Sequence, residues 1–210
     1  MSYLTIASFD GLTAGDLSGQ DNWTVAPSHT GGTIDVDTYG GGQAAFLSSS
    51  VGNTTLYIRS WTTGELPNDR LDSGSRYTMN WTFNMSSALT SGTVSTGLSD
   101  ASDTQFPWYL EVANTTGAVT LTDRNGVQSL GSVTLDTDHT VEVVVDENSD
   151  MTVNIDSAGA TGGFKAAVVN ASYIELYYGG GATVTDAFVW DNIVLKVQIT
   201  NNIYKYFIGK

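Results

Sequence analysis

The sequence predicts an all-β fold in which two antiparallel sheets pack face to face. Apolar and polar residues alternate over short stretches, which indicates strands with one buried and one solvated face. Glycine accounts for 23 of the 210 residues and proline for only 3, so turns are frequent, while 14% charged residues leave few of the helix-favouring Glu, Lys and Arg. The length fits one domain, because all-β sandwiches run to ~200–250 residues as single units.

Ten strands follow from this alternation. The pattern is clearest in the second half of the chain, where turn sequences at 114–117, 123–126 and 146–150 separate alternating stretches and indicate a β-meander. The predicted strands, in chain order, are residues 33–37, 44–48, 55–61, 76–84, 108–112, 118–122, 140–145, 151–156, 173–178 and 187–197.

Charge and composition exclude several classes of function. Eight basic residues against 22 acidic residues give a formal net charge of −14, and no basic patch is available to bind phosphates. No stretch reaches the ~18 consecutive apolar residues that a membrane-spanning helix needs. The lack of cysteine excludes disulfides, thiolate zinc sites and cysteine nucleophiles, and two histidines leave little for a histidine-rich metal centre. We therefore expect neither nucleic-acid binding nor membrane insertion.

Three stretches carry a family likeness. Residues 8–12 (SFDGL) and 19–23 (GQDNW) look like an opening strand, residues 136–143 and 151–156 look like a hairpin across the sandwich, and residues 188–195 (FVWDNIVL) look like a closing strand that pairs beside the first. In this order they resemble the concanavalin A-like lectin and glucanase jelly roll, especially its laminin-G-like and phage-encoded branches, over most of the chain. The resemblance implies a jelly-roll sandwich but no single function, since this fold hosts lectins, hydrolases, lyases and inert structural modules.

A glycosidase on this scaffold needs two carboxylates placed around the scissile bond. The glucanase branch carries them as Glu-x-Asp-x-Glu on one strand, and none of the five glutamates begins that pattern. Asp35, Asp37 and Tyr39 alternate onto one face, which we interpret as a solvated outer face. The lyase signature Gln-x-His is also missing, and the resemblance implies a structural role for His139 at the start of a strand. We therefore expect no enzymatic activity.

Calcium is the metal for which this chain offers the most oxygen ligands. Residues 146–150 (DENSD) begin like an EF-hand loop, but Met151 stands where that loop needs glycine and Ser157 where it needs glutamate, which favours a plain hairpin loop. Asp10 and Asp191 form a weaker candidate pair, because they meet if the first and last strands pair. Asp191 and its neighbour could equally cap the strand through local hydrogen bonds. No cofactor is expected.

Aromatic side chains are the remaining candidates for a ligand site, because sugar rings stack on exposed Trp and Tyr much as these residues pack in cores. Three tryptophans lie in alternating strand contexts and are predicted to belong to the core: Trp23, Trp81 and Trp190. Three other aromatic residues lie at strand–loop junctions or before a glycine run and are the predicted carbohydrate-binding residues: Trp61, Trp108 and Tyr178. Tyr177, the neighbour of Tyr178 before the same glycine run, is a further candidate.

The end of the chain differs from its body. Residues 198–210 continue with apolar residues after the predicted sandwich, residues 1–197, is complete. All four lysines occur from Lys165 onward, and three of them lie in the last fifteen residues. Two interpretations of the tail are open. It is an extra edge strand or a segment packed on its own domain, or else it is an assembly anchor that docks on another chain. The predicted anchor residues are Ile203, Tyr204, Tyr206, Phe207 and Ile208.

The function expected from these features is that of a non-enzymatic surface protein of a bacteriophage particle, either a capsid decoration or a tail accessory protein. No basic segment followed by an apolar run opens the chain, so we expect no secretion signal, synthesis in the host cytoplasm and a final location on the virion surface. The expected partners are capsid or tail subunits, cell-surface glycans and further copies of the chain. A carbohydrate-binding module is the alternative, and a polysaccharide hydrolase or lyase is the third hypothesis.

Overall fold

The computed structural model of the protein describes residues 2–6, 9, 11–20, 23–25, 30–48, 54–61, 75–100, 102, 105–160, 162–167, 171–180 and 186–199. For residues 2–6, 54–61 and 199 only the backbone is described. Sixteen strands form within these ranges: β1 (Ser2–Ile6), β2 (Gly15–Asp16), β3 (Trp23–Val25), β4 (Thr33–Tyr39), β5 (Gly42–Ser48), β6 (Thr54–Trp61), β7 (Arg76–Met85), β8 (Thr93–Ser99), β9 (Trp108–Ala113), β10 (Ala118–Asp123), β11 (Gly126–Ser132), β12 (Asp138–Val145), β13 (Met151–Ile155), β14 (Ala158–Gly159), β15 (Tyr173–Gly180) and β16 (Phe188–Ile199).

Two antiparallel sheets contain these strands. Sheet A has nine, in the order β14-β13-β12-β7-β16-β5-β4-β2, with β1 also paired to β16. Sheet B has seven, in the order β11-β10-β9-β8-β15-β6-β3. The predicted all-β sandwich of two antiparallel sheets, of jelly-roll type, is therefore confirmed. The described part of the chain contains no helix, and so none that could span a membrane.

The inner faces of the two sheets share one core. Trp81 of sheet A stacks on Trp108 of sheet B with ring centroids 6.3 Å apart. Trp190 of sheet A donates a hydrogen bond from Nε1 to Thr96 Oγ1 of sheet B over 2.8 Å. Trp23 is also buried, so the three tryptophans predicted to be core residues are confirmed as such. The large indoles fill the space between the sheets and connect them.

All ten predicted strands form, and their ends differ from the prediction by no more than two residues. The predicted position of the opening strand is wrong, because the first strand of the structure lies at Ser2–Ile6 and not at residues 8–12. Gly11 takes a left-handed backbone with φ +90°, and the Leu12 amide donates to the Phe9 carbonyl over 3.1 Å, so the described residues 9, 11 and 12 do not form a strand. The pairing of the first strand with the last is confirmed by β1 and β16.

The last strand runs to Ile199, two residues beyond the predicted end of the sandwich. Gln198 pairs with Arg76 of β7, and Ile199 pairs with Ser2 of β1. Residues 200–210, with the five predicted anchor residues, lie outside the described residues. The role of this tail stays a prediction.

His139 connects the start of β12 to the end of β13. The side chain is buried, its Nδ1 lies 2.6 Å from Asp156 Oδ2, and its Nε2 donates to the Thr134 carbonyl over 2.7 Å. The Thr140 amide donates to Asp156 Oδ1 over 2.9 Å. Both ring nitrogens are thus used in internal contacts, which agrees with the structural role that the resemblance implied.

Acid is expected to weaken this connection, and Asp156→Asn should reduce the effect. Partial burial raises the pKa of Asp156, but hydrogen bonds from His139 and the Thr140 amide outweigh it and hold the pKa below its ordinary value of 3.8. A carboxyl whose folded pKa is lowered adds stability above the unfolded pKa, and this stability is lost as pH falls through the folded pKa. Thermal midpoints measured from pH 7 to pH 2 should therefore fall less below about pH 4 in Asp156→Asn than in the native protein. Identical slopes would contradict the assignment.

Candidate functional site

The outer face of sheet B carries an unusual set of side chains. In β15 the even-numbered residues from 174 to 178 are fully buried in the core. Because neighbouring side chains of a strand point to opposite faces, the odd-numbered residues Tyr173, Glu175 and Tyr177 lie on the outer face. Two rings and a carboxylate thus follow one another along the central part of the sheet.

The adjacent strands β8 and β9 extend this set in rows across the sheet. One row consists of Glu175, Gly97 and Tyr109. The next row consists of Tyr177, Ser95 and Glu111. The small residues on β8 separate the larger ones on β15 and β9. We call the five large residues the B face: Tyr109, Glu111, Tyr173, Glu175 and Tyr177.

Strand β6 borders the B face on the other side of β15. The backbone register pairs Trp61 with Tyr173, and it pairs Arg59 with Glu175. The side chains of β6 lie outside the described residues. The predicted carbohydrate-binding role of Trp61 therefore stays a prediction, but its strand position is next to the B face.

The B face is only partly open to solvent. Tyr173 is 4% and Glu175 is 5% exposed, whereas Tyr109, Glu111 and Tyr177 are half-buried. The Ser99 hydroxyl, opposite Tyr173 on β8, is fully buried and has no hydrogen-bond partner. A buried polar atom without a partner costs free energy, and such atoms are uncommon in folded proteins.

The chemistry of the B face suits a ligand with flat apolar surfaces and hydroxyl groups. Tyrosine rings offer apolar faces together with a hydroxyl, and carboxylates accept hydrogen bonds. Glu111 lies on β9 and Glu175 lies on β15, with β8 between these two strands. Their backbone partners on β8 are two positions apart, which places the Cα atoms of the two glutamates about 12 Å apart. The Glu-x-Asp-x-Glu pattern lies on a single strand, so it does not reveal this pair of glutamates, which lies on two strands.

The outer face of sheet A holds a separate polar groove, with a cavity volume of about 430 Å³. Asn154 donates from its side chain to Glu142 over 2.8 Å in this groove. A β-bulge in β16 between Asp191 and Val194 places the exposed Asn192, with φ +51°, at the groove wall. Bulges of this kind redirect side chains. The described lining is rich in amides and hydroxyls but contains no exposed aromatic ring.

Asp35, Asp37 and Tyr39 also lie on the outer face of sheet A, as their alternation with buried residues predicted. Tyr39 is nevertheless only partly solvated. Its hydroxyl donates to Asp138 and accepts from the Asn84 side chain. Burial and the nearby Asp138 raise the pKa of Tyr39. This tyrosine is therefore held in a local polar network.

Two predicted carbohydrate-binding residues are corrected by the structure. Trp108 is fully buried, and its Nε1 donates to the Tyr77 hydroxyl over 2.9 Å inside the core. Tyr178 is also fully buried, and its hydroxyl donates to the Ser91 carbonyl over 3.3 Å. Their faces are covered by protein, so neither residue can stack on a sugar. Both predictions were wrong because the turns that flank the two residues suggested that the strand ends are exposed.

Neither predicted metal site has a metal-binding arrangement among the described residues. Asp10 lies outside the described residues, and Asp191 accepts hydrogen bonds from the backbone and side chain of Asn192. In the 146–150 loop, the Asp146 carboxylate accepts from the amides of Asn148 and Asp150, which is the predicted hairpin loop. Within the described ranges, no group of three or more His, Asp or Glu side chains could hold a metal ion.

The sequence did contain a signal for the B face. The odd positions of β15 read Tyr, Glu, Tyr, those of β9 from 109 read Tyr, Glu, and those of β6 from 57 read Tyr, Arg, Trp. Aromatic and charged residues in this alternation are unlike the Thr, Ser and Asn of an ordinary solvated face. Reading the polar phase of each strand, in addition to its apolar phase, would have found the face.

Comparisons with known proteins show the fold. No family model matches the chain, and no curated protein is similar to it at a significant level. Among solved structures, it is similar to the carbohydrate binding module CBM66 from Bacillus subtilis (12% identity, 86% of this chain and 99% of that chain, TM-score 0.51). It is also similar to the Emp47p carbohydrate recognition domain (15% identity, 92% and 93% covered, TM-score 0.56).

A third similar structure belongs to a longer protein. The chain matches a sialidase at 13% identity and a TM-score of 0.58, over 94% of this chain but only 19% of the sialidase chain. The structural neighbours thus include carbohydrate-binding, lectin-like jelly-roll domains. At this level of identity the likeness shows the fold alone.

Proposed function

We propose that the protein is a non-enzymatic carbohydrate-binding module whose ligand lies across the B face. The observation that carries this proposal is the set of three tyrosines and two glutamates on one outer face of sheet B. The fold of known carbohydrate-binding domains supports the same function without locating the site. We expect no cofactor to take part, so binding should persist when metals are removed with EDTA.

The arrangement fits an extended glycan that crosses the strands. The two rows pair a tyrosine with a glutamate in opposite order, and their half-buried members Tyr109, Tyr177 and Glu111 offer two rings to sugar faces and one carboxylate to sugar hydroxyls. Tyr177 is half-buried, which leaves part of the side chain available to a ligand.

Tyr177→Ala is expected to weaken glycan binding by about tenfold or more, which corresponds to about 1.4 kcal/mol. The ring lies on the outer face, outside the core, so its removal takes away ligand contact without opening the space between the sheets. A glycan array identifies the ligand, and titration calorimetry then measures the affinity of native and variant proteins.

Asn154→Ala is the matched control, because it removes a side chain from the groove on sheet A. It should leave the affinity unchanged. A clean negative array at high protein concentration would sink the proposal. Loss of binding in Asn154→Ala with full binding in Tyr177→Ala would move the site to sheet A and also contradict it.

Glycoside hydrolysis is a second candidate function, because Glu111 and Glu175 share the B face. Inverting enzymes separate their carboxyl groups by ~6.5–9.5 Å, a distance that side chains on Cα atoms about 12 Å apart can reach by leaning toward each other. Release of reducing sugar from a bound glycan, abolished in Glu111→Gln and in Glu175→Gln, would favour this function over pure binding. No release from any glycan that the protein binds would exclude it.

We propose further that the protein acts on the surface of a bacteriophage particle, as a capsid decoration or tail accessory protein. The support is the uneven charge: every lysine lies at residue 165 or later, and the acidic body would keep the free protein soluble while the lysine-bearing tail docks on a capsid or tail subunit. Purified particles should contain the protein in many copies by mass spectrometry, and its absence from them would contradict the proposal. Deleting residues 203–210 should leave a folded protein that no longer assembles.

A further inference from the structure

Strand β11 forms an edge of sheet B, and its first four residues lack the usual protection. It is the terminal strand on that side of the sheet within the described residues, and its seven residues, GVQSLGS, include no charge and no proline. Folded proteins protect edge strands with charges, prolines, bulges or very short length, because unpaired backbone groups recruit another strand. Among the other strands with a single paired neighbour, β2, β3 and β14 have only two or three residues and β1 has five.

The regularly paired part of β11 is mostly exposed to solvent. A bulge opposite Val119 and Thr120 disturbs the strand near Gly131, but Gly126 to Ser129 pair regularly with β10. Val127 in this part is 70% exposed, which is unusual for an apolar strand residue. Backbone groups and an apolar side chain are thus available together.

A cleft with mixed apolar and polar walls lies beside the same edge, where the two sheets part. Its volume is about 340 Å³, and its walls include Leu130, Val133, Ile155 and Ala160, which are only partly buried. The cleft is also lined by the Asp156 carboxylate and the His139 ring, which contact each other. This side of the sandwich is therefore partly apolar, and β11 itself carries no charged residue.

We infer that β11 is the contact between two copies of this chain. A chain with a net charge of −14 repels its own copies at most approaches, and an uncharged edge is a place where two copies can meet without facing like charges. Identical strands pair antiparallel about a two-fold axis, which gives a closed dimer with the same patch on both sides. The few residues involved correspond to a small, reversible interface.

The geometry has a consequence for ligand binding. The two-fold axis of an antiparallel strand pair is perpendicular to the sheet, so both B faces lie on the same side of the joined sheet. Two sites on one side can engage one surface together and gain avidity. This consequence depends on the proposed function, whereas the contact itself does not.

The test is the molar mass in solution, measured by sedimentation and light scattering from micromolar to millimolar concentration. The native chain should rise from 22.3 kDa toward twice that mass. Val127→Lys places like charges at the edge and should shift the midpoint of association at least about tenfold to higher concentration. The variant lowers the net negative charge, so weaker association cannot come from general repulsion.

Thr152→Lys is the matched control, because it adds the same charge at an exposed strand position in sheet A. It should associate like the native chain, and circular dichroism should show all three proteins folded. A native protein that stays monomeric at every concentration overturns the inference. So does a dimer that Val127→Lys leaves intact, or one in which hydrogen exchange protects other strands but not β11.

Discussion

Replacing Trp108 by alanine is expected to lower the free energy of unfolding by about 3–5 kcal/mol, as deletion of a large buried aromatic side chain does. The indole is fully buried, stacks on Trp81 and donates to the Tyr77 hydroxyl. Burial raises the pKa of Tyr77 well above its ordinary value, so this hydroxyl stays neutral and loses its partner in the variant. A domain with about 5–15 kcal/mol of total stability would be seriously weakened.

Urea denaturation of native and variant proteins measures this loss. Trp108→Phe keeps much of the volume and should lose about 1–3 kcal/mol, mainly because the Tyr77 hydroxyl is left without a partner. Tyr177→Ala provides the contrast, since it should weaken glycan binding with a smaller loss of stability. If Trp108→Ala instead abolished glycan binding with unchanged stability, the residue would be a ligand platform after all.

The alternation rule located strands wherever one face is apolar. It failed for β8, whose sequence TVSTGLS is mostly small and polar although nearly every residue is buried. Ser95 and Ser99 pair on β8 with Tyr177 and Tyr173 of the B face. Thr96 accepts the hydrogen bond that Trp190 donates. These side chains are buried because larger residues on the adjacent strands cover or bond them. A single strand's pattern does not contain that information.

The candidate site shows the same limit. Trp108 and Tyr178 stand at strand ends in the sequence, but the phase of their strands turns both toward the core. The B face combines residues that are more than 60 positions apart in the chain, and only the pairing of β15 with β8 and of β8 with β9 brings them together. Residue type and phase could be predicted from the sequence, whereas strand neighbours could not.

Gly97→Ala is expected to destabilise the fold by about 1–3 kcal/mol, toward the upper end, because the added methyl group meets backbone on both nearby residues. Its Cβ would lie 2.6 Å from the Trp108 carbonyl oxygen and 2.7 Å from the Tyr109 Cα. Strand β8 is hydrogen-bonded to β9 and β15 at once, so it cannot move away from one without straining the other. Chemical denaturation measures the loss, and hydrogen exchange should be faster at the β8–β9 pairing.

Gly163→Ala is the matched control, since its Cβ would meet nothing within 4 Å. That variant should stay within about 0.5 kcal/mol of the native stability. Equal stabilities for the two variants would mean that β8 and β9 separate easily. Because Gly97 lies between Glu175 and Tyr109, its substitution should also disturb the B face and weaken glycan binding. A variant with native stability but weaker binding would show that the close approach at Gly97 serves the site rather than the fold.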